Sequence, residues 1–482
     1  GLDLANTQIR ANKSREAIST IQSLHTLVSP ERSDPRIALA AAEAALSLSD
    51  YKLAKESSED SIQKAHQIGA RSLVGRAEWR LCSALINLGS LDDAQMAGKR
   101  ALQIYTDTTD LLGQARSLTC IANVFSSKGN AEEALKLHNQ ALDLANSIGA
   151  KRDSAGALLN VANLLSNKND LTGAIERYKE ALEICHQIDD KTQTILIEND
   201  LGALYFAQGL YNAAAQAYAL AHQVAKEVGS LQGLIQARTN LSNIHLLQGK
   251  LNEAKDGIQE AIAASKQLND ENDNASALQV LGDIQLAQDD LDKAESSYSE
   301  FLKIEIKLGQ NADIASARLS VAGLDLERAK FAEAEDFCHQ AVQEFNAEKN
   351  ADYETQSRAL LSRILIAQGK VAEARAEIDQ ARKLGAANQI LKLDLSNASA
   401  RVLSKEKKYT EAANEFNDVI RRANKMGLVG YELEAKLGLY ENQILSAKRT
   451  QYIPMLRSLQ IDAGRQGFAL TARKAAELLR AI

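Results

Sequence analysis

The chain repeats itself every 40 residues, and this period constrains its fold more than any other feature. From Ser49 to Gly369, nine positions spaced 40 apart mark a turn. Five residues after each turn stands an alanine: Ala54, Ala94, Ala134, Ala174, Ala214, Ala254, Ala294, Ala334 and Ala374. Seven residues further on, small residues recur with Phe301 as the one departure: Ser61, Ala101, Ala141, Ala181, Ala221, Ala261, Phe301, Ala341 and Ala381. A fixed period of this length predicts an array of stacked repeats.

Each repeat has the pattern of two helices joined by a turn. Eight residues before the turn stands a large aliphatic residue followed by a small one, as in Leu241-Ser242. Apolar and small residues at i, i+3, i+4 and i+7 predict one packed stripe on each helix. Glycine suits the left-handed end of a helix, both at the turn and where Gly229 or Gly309 ends the second helix. A pair of helices of about 15 residues must stack on its neighbours to bury that stripe.

These features resemble the tetratricopeptide repeat family over essentially the whole chain. The shared pattern also includes an aromatic residue or leucine two residues after the turn: Leu91, Leu171, Tyr211, Leu251, Leu291 and Phe331. The family's commoner period is about 34 residues, and its closing proline is replaced here by about six extra residues and a glycine. The longer form is similar to the repeats of kinesin light chain and of bacterial serine/threonine kinases and winged-helix regulators. The resemblance implies an all-α, right-handed superhelical solenoid of antiparallel helix pairs.

The register divides the chain into four parts and predicts about eleven repeats. We expect a truncated first repeat at 1–33, a regular array at 34–390, less regular repeats at 391–467 and a capping helix at 468–482. In the first repeat, Asn12 would be the turn and Ala17 the first alanine. Because the first helix is short and the chain begins with glycine, we expect it to be a piece of a longer protein.

Composition excludes several classes of partner. The chain has 56 Lys+Arg against 63 Asp+Glu and no basic block, so nucleic-acid binding by this chain is not expected. It has no apolar run of about 18 residues, so no membrane contact is expected. The four cysteines stand far apart in sequence: Cys82, Cys120, Cys185 and Cys338. We expect four buried thiols and a reducing, cytoplasmic compartment, or the periplasm if the chain is attached to a membrane-anchored kinase.

The sequence contains no pattern that is typical of catalysis, a cofactor or a metal. A nucleophile elbow, a phosphate-binding glycine loop and the H-E-x-x-H motif are all missing from it. His138, His186 and His245 fall on repeating helical positions, where packing or surface exposure explains them. We therefore expect no enzymatic activity, no cofactor and no metal site.

The resemblance implies a peptide-binding groove lined by the first helix of each pair. The family uses inner-face asparagines to pair with the backbone of an extended peptide, since the side-chain amide both donates and accepts. Six and nine residues before the turns, the matching positions are Asn123, Asn160, Asn163, Asn240 and Asn243. Asn199 lies beside Asp200, which occupies such a position. The alternative is that these side chains are solvated or tie neighbouring helices together.

Three arginines and the chain's one tryptophan fall on the same face of the second and third repeats. Arg76, Arg80 and Arg116 are predicted to take a carboxylate of the peptide in bidentate fashion. Trp79 lies between two of them in sequence and is predicted to stack on the ligand. Solvation of these side chains is again the alternative.

From the fifth repeat onward the inner positions become apolar. They are Phe206, Leu246, Leu247, Leu286, Leu326 and Ile366. Such a surface is suited to an amphipathic helix of a partner or to a second copy of this chain, which would make a homodimer. Additional packing between the chain's own helices explains the same residues.

Two classes of function remain open. The first is a non-catalytic protein–protein interaction scaffold that binds a partner peptide or helix in its groove. The second is a sensor or regulatory arm of a larger bacterial signalling protein, whose kinase or transcription-regulator domain would precede residue 1. The stretch from Gly427 to Glu477 looks like the end of repeat arrays attached to such proteins. An enzyme would need a cluster of acids and bases that the sequence does not contain.

Overall fold

The structure, a computed structural model, describes residues 1–10, 13–24, 33–386, 388–446 and 449–481. These residues form 25 α-helices and no strand. The helices are α1 (Leu2–Arg10), α2 (Ser14–Leu24), α3 (Pro35–Ser47), α4 (Tyr51–Gln67), α5 (Arg71–Asn87), α6 (Leu91–Asp107), α7 (Leu111–Ser127), α8 (Ala131–Ser147), α9 (Lys151–Asn167), α10 (Leu171–Ile188), α11 (Lys191–Ala207), α12 (Tyr211–Val228), α13 (Leu231–Leu247), α14 (Leu251–Leu268), α15 (Glu271–Ala287), α16 (Leu291–Leu308), α17 (Asn311–Glu327), α18 (Phe331–Ala347), α19 (Ala351–Ala367), α20 (Val371–Leu384), α21 (Gln389–Lys405), α22 (Tyr409–Met426), α23 (Val429–Leu445), α24 (Arg449–Arg465) and α25 (Ala469–Ala481). The predicted all-α fold is confirmed.

The helices follow one another as consecutive packed pairs, so the predicted solenoid of helix pairs is also confirmed. Within the described residues there are twelve pairs, from α1 and α2 to α23 and α24, followed by α25. This is one pair more than the sequence predicted, because α23 and α24 lack the alanine register and α24 carries Pro454 in its interior. Ala17 is fully buried, as expected, whereas the predicted turn at Asn12 lies outside the described residues.

The repeated alanines are the contact points between helices. All nine, from Ala54 to Ala374, have 0% of their surface exposed. Ala254 on α14, for example, packs in one core cluster with Ile235 of α13 and Ile284 of α15. Because protein interiors are close-packed, a larger side chain at such a position would push neighbouring helices apart. Burial at every period therefore confirms the register.

The nine turns from Ser49 to Gly369, each between paired helices, use the left-handed backbone conformation. Their φ angles run from 58° at Ser49 to 81° at Gly369. Ala329 and Asp289 adopt the same conformation, with φ of 58° and 60°. This conformation costs a residue with a Cβ about 1–2 kcal/mol of conformational free energy. The repeat geometry therefore sets the turn, and glycine only lowers its cost.

The chain divides into two compact units, which we call unit 1 (1–197) and unit 2 (198–482). In unit 1, helices pack on helices one or two places along the chain, as α5 does on α6 and α7. In unit 2, long-range packing is added, because α13 contacts α23 and α15 contacts α25. Among the described residues, none of the helices is long and apolar enough to span a membrane.

The prediction of four free thiols is wrong for two of the cysteines. Cys82 on α5 and Cys120 on α7 form a disulfide, with their Cα atoms 6.6 Å apart. They are 38 residues apart, almost one period, so the repeat brings them to facing positions on neighbouring helices. Cys185 and Cys338 are free and buried, as expected. The cysteine content therefore gives no argument for a reducing compartment.

Candidate functional site

Four of the predicted binding residues line one cavity in unit 1. Trp79 and Arg80 come from α5, Arg116 from α7 and Asn160 from α9, and the cavity has a volume of about 350 Å³. Its volume lies within the range of pockets that hold small ligands or side chains. The 40-residue period is the cause of this convergence, since equivalent faces of successive first helices lie side by side.

Two guanidinium groups lie close to the indole ring of Trp79. The Cζ atom of Arg80 is 3.9 Å from the ring centroid, and that of Arg116 is 5.3 Å from it. Each such contact is worth about 0.5–2 kcal/mol, depending on how far water is excluded. We call Arg76, Trp79, Arg80 and Arg116 the tryptophan–arginine cluster.

Every arginine of this cluster already contacts a carboxylate of the protein. Glu43 on α3 is shared, because one of its oxygens accepts from Arg76 at 3.2 Å and from Arg80 at 3.1 Å. Arg116 donates to both oxygens of Asp153, from Nε at 2.7 Å and from Nη2 at 3.2 Å. The bidentate geometry predicted for a ligand carboxylate is thus used within the protein.

Positive charge remains in excess at the cavity. A fourth guanidinium, that of Arg152 on α9, lines it and pairs with Asp190 through Nε at 2.8 Å. Together with Arg76, which lies outside the lining, four guanidinium groups around the cavity share three carboxylates. Burial lowers the pKa of Arg80, and the neighbouring guanidinium groups lower it further against the attraction of Glu43. The site consequently favours an added negative charge.

The asparagines of unit 1 occupy different environments. Asn160 is half-buried and lines the cavity. Asn163, one turn further along α9, accepts a hydrogen bond from the Tyr178 hydroxyl of α10. Asn123 is half-buried on α7. Arg76, Asn123 and Asn163 are not among the residues that line the cavity.

The remaining predicted asparagines belong to unit 2. On α13, Asn240 is exposed and Asn243 is half-buried. Asn199 is only 8% exposed, and neither polar atom of its amide has a hydrogen-bond partner among the described residues. Asp283 on α15 lies one 40-residue period after Asn243. Its carboxylate accepts a hydrogen bond from the Tyr298 hydroxyl at 2.6 Å, and burial raises its pKa to about 6.

The apolar inner positions of unit 2 pack largely against later helices of the same unit. Leu246 packs on a core cluster that contains Phe468 and residues of α23 and α24. Phe206 and Leu247 pack on a cluster formed by α12, α13 and α21 to α23. Leu286 packs near Tyr298 within α15–α17. Packing within the chain, one of the three interpretations left open by the sequence, accounts for these side chains.

The carboxylates that complete the unit 1 site, Glu43 and Asp153, were not predicted from the sequence. Glu43 and Arg80 are 37 residues apart, as are Arg116 and Asp153. A similar spacing, 36 residues, joins Arg328 to Asp292 elsewhere in the array. Opposite charges slightly less than one period apart are therefore the signal that could have found them.

The described residues contain no group of three or more histidine, cysteine or acidic side chains that could hold a metal ion. His138 is buried on α8, where burial lowers its pKa to about 4. A neutral imidazole packed in this way is a core residue.

Family models match most of the regular array. The model described as "Tetratricopeptide repeat" matches residues 73–147 and 153–227. The model described as "MalT-like TPR region" matches residues 234–416. No curated protein sequence matches this chain.

Solved structures resemble this fold at low sequence identity. The apo form of RapI superposes with a TM-score of 0.51 and 15% identity, over 72% of this chain and 97% of that chain. A Rap protein complexed with Competence and Sporulation Factor gives a TM-score of 0.45 and 17% identity, over 77% and 98% of the two chains. The apo form of the quorum sensor NprR from B. thuringiensis gives 0.48 and 15%, over 71% and 97%.

The repeat geometry and the family models agree on the same residues. The matched segments cover α6 to α21, the region in which the buried alanines recur. The chain is a tetratricopeptide repeat protein.

Proposed function

We propose that unit 1 binds an extended segment of a partner protein and catalyses no reaction. The observation that carries this proposal is the cavity lined by Trp79, Arg80, Arg116 and Asn160. It combines an aromatic surface, an amide that can donate and accept, and one positive charge in excess. These groups match a peptide that carries a carboxylate, either a side chain or a chain end.

The carboxylate would bind where the guanidinium groups are least compensated. Glu43 serves two arginines, so a ligand carboxylate can take over contacts to Arg80 without leaving Glu43 unpaired. Trp79, already in contact with Arg80, would cover an apolar part of the ligand. A charge-assisted hydrogen bond of this kind contributes about 1.5–3 kcal/mol.

The asparagines would pair with the backbone of the same segment. Asn123 lies on α7, and Asn160 and Asn163 lie on α9. Packed helices lie roughly 8–10 Å apart, and an extended strand advances about 3.3 Å per residue. Successive first helices would therefore contact about every third residue of the peptide. Asn199, Asn240 and Asn243 stand outside this proposal, since later helices pack on the inner positions of unit 2.

The single tryptophan makes the test direct, because fluorescence excited at the long-wavelength edge, where tyrosine absorbs little, reports on Trp79 alone. Partner segments would be identified by pull-down with the full chain and peptide mapping, then titrated while the emission is followed. We expect a saturable change in emission, and Arg80→Gln, which removes the guanidinium proposed to take the carboxylate, should weaken binding about tenfold or more. The matched control is Arg177→Gln, which removes an exposed arginine of α10.

An unchanged affinity in Arg80→Gln, with the helical content intact, would contradict the proposed site. Reproducible turnover of a substrate by the purified chain, abolished by a substitution within it, would contradict the proposed absence of catalysis.

A regulatory arm of a larger signalling protein is a second proposal. The observation that favours it is the packing of α23 and α25 on α13 and α15, since contacts between distant helices can be made or broken by a signal. The sequence that precedes residue 1 in the encoding gene is the test. A kinase or transcription-regulator domain there would support this proposal, and the absence of any further coding sequence would refute it.

A further inference from the structure

A second cavity, in unit 2, has the features of a small-molecule site. It has a volume of about 300 Å³ and lies among α17–α19, α21–α23 and α25. Part of its lining is apolar: Leu326, Phe331, Ile366 and Phe416. The proposal for unit 1 does not involve this cavity, so the two can fail separately.

Other residues of the lining are cationic. Arg363 and Arg401 line it and share one oxygen of Glu434, at 3.3 Å and 3.5 Å. Lys405 also lines it and contacts Glu441 at 3.4 Å. The fourth cation is Lys474 of α25, which contacts Glu327 at 2.6 Å. Four cations thus share three carboxylates.

Two further observations show that these cations are under-compensated. The Nε atom of Arg401 is buried and has no hydrogen-bond partner among the described residues. Burial opposes ionisation of Glu434, yet Arg363, Arg401 and Lys474 outweigh it and lower its pKa to about 2.

A further acid near these cations, Asp394, compensates them only in part. Asp394 interacts with Arg363, but burial raises the pKa of this carboxyl to about 7. Burial thus favours the neutral form of this carboxyl, which reduces the negative charge that it brings to these cations.

We propose that this cavity binds a small amphipathic carboxylate, with its anionic end at Arg401 and Arg363 and its apolar part against Ile366 and Phe416. Its volume is at the lower end of the range for small-ligand pockets, which favours one short aliphatic or aromatic group. The carboxylate satisfies the guanidinium donors, and the apolar part removes its own surface from water.

Calorimetric titration of the full chain with octanoate tests this assignment, with octan-1-ol as the uncharged counterpart. We expect one saturable octanoate site and binding of octan-1-ol that is weaker by about tenfold or more. Arg401→Gln should weaken octanoate binding by the same factor. Arg375→Gln is the matched control, because Arg375 is buried to a similar degree and pairs with Glu406 outside this cavity.

Ala367→Phe provides a second variant that leaves every ion pair intact. Ala367 lines the cavity and is exposed, so the added ring can enter the cavity without overpacking the core. We expect this variant to keep the wild-type melting curve and to lose octanoate binding. No octanoate binding by the wild type, equal binding of octan-1-ol, or unchanged binding in both Arg401→Gln and Ala367→Phe would overturn the proposal.

Discussion

Units 1 and 2 are built from the same repeat, yet the inner face of unit 1 lines a polar cavity, whereas that of unit 2 is largely packed against later helices. In unit 1 the inner positions hold Trp79, Arg80, Arg116 and Asn160, which line a cavity. In unit 2 the apolar inner residues occupy other positions, two or three residues before each turn, and helices from the end of the chain pack on several of them. The buried alanines are the same in both units.

The difference shows that the residues that stack the repeats are distinct from the residues that determine what binds to the inner face. The alanines and turns fix the stacking of each pair on the next, whatever the inner positions hold. The inner positions decide what is bound there, because exposed apolar surface is driven to find a cover. In unit 2, residues of α23–α25 pack on this apolar surface, whereas unit 1 has partly solvated charged side chains at its cavity.

Weakening the packing of the C-terminal helices on unit 2 should have the largest effect on stability. Phe468, just before α25, is 6% exposed and packs in a cluster with Leu251 and Leu433. Phe468→Ala should destabilise unit 2 by about 3–5 kcal/mol through the cavity it leaves. Urea unfolding followed by circular dichroism should show this loss, while Trp79 fluorescence, which reports on unit 1, should keep its midpoint.

The control for this variant is Ile461→Ala on α24, where the side chain is 53% exposed and little should change. Equal shifts of the dichroism and fluorescence midpoints in Phe468→Ala would show that the two units do not unfold independently.

The disulfide gives the next largest effect, and it should act on unit 1. Cys120→Ser opens the link between α5 and α7 and should lower the stability of this unit by about 2–4 kcal/mol. Trp79 fluorescence during urea unfolding is the measurement, and a reductant should bring the wild-type chain to the same midpoint. Alkylation of all four cysteines in the unfolded, unreduced chain would show that the disulfide does not form.

Overpacking a repeat alanine should have a smaller effect. Ala254→Leu should cost about 1–3 kcal/mol, because the fully buried methyl group contacts neighbouring helices. Lys250→Gln, four residues earlier and exposed, should leave thermal melting unchanged. Identical melting of the two variants would mean that the alanine register does not mark helix contacts.

The sequence predicted what depends on one period and missed what depends on distant parts of the chain. Ala254 and Gly249 were predictable, since stacking repeats the same contact every 40 residues. Arg473 and Asp289 form an ion pair although they are 184 residues apart, and no local pattern links them. In the site, Arg116 was predicted from its helix face, but its partner Asp153 required the period to be applied to charges as well.

The most direct test of the contrast between the units is the affinity of a mapped partner peptide for two matched asparagine variants. Asn163→Ala changes the inner face of unit 1, and Asn243→Ala changes the equivalent position of unit 2. We predict that Asn163→Ala weakens binding by about 0.5–1.5 kcal/mol and that Asn243→Ala leaves it unchanged. An effect of Asn243→Ala as large as that of Asn163→Ala would contradict the account, because the peptide would then be bound along both units.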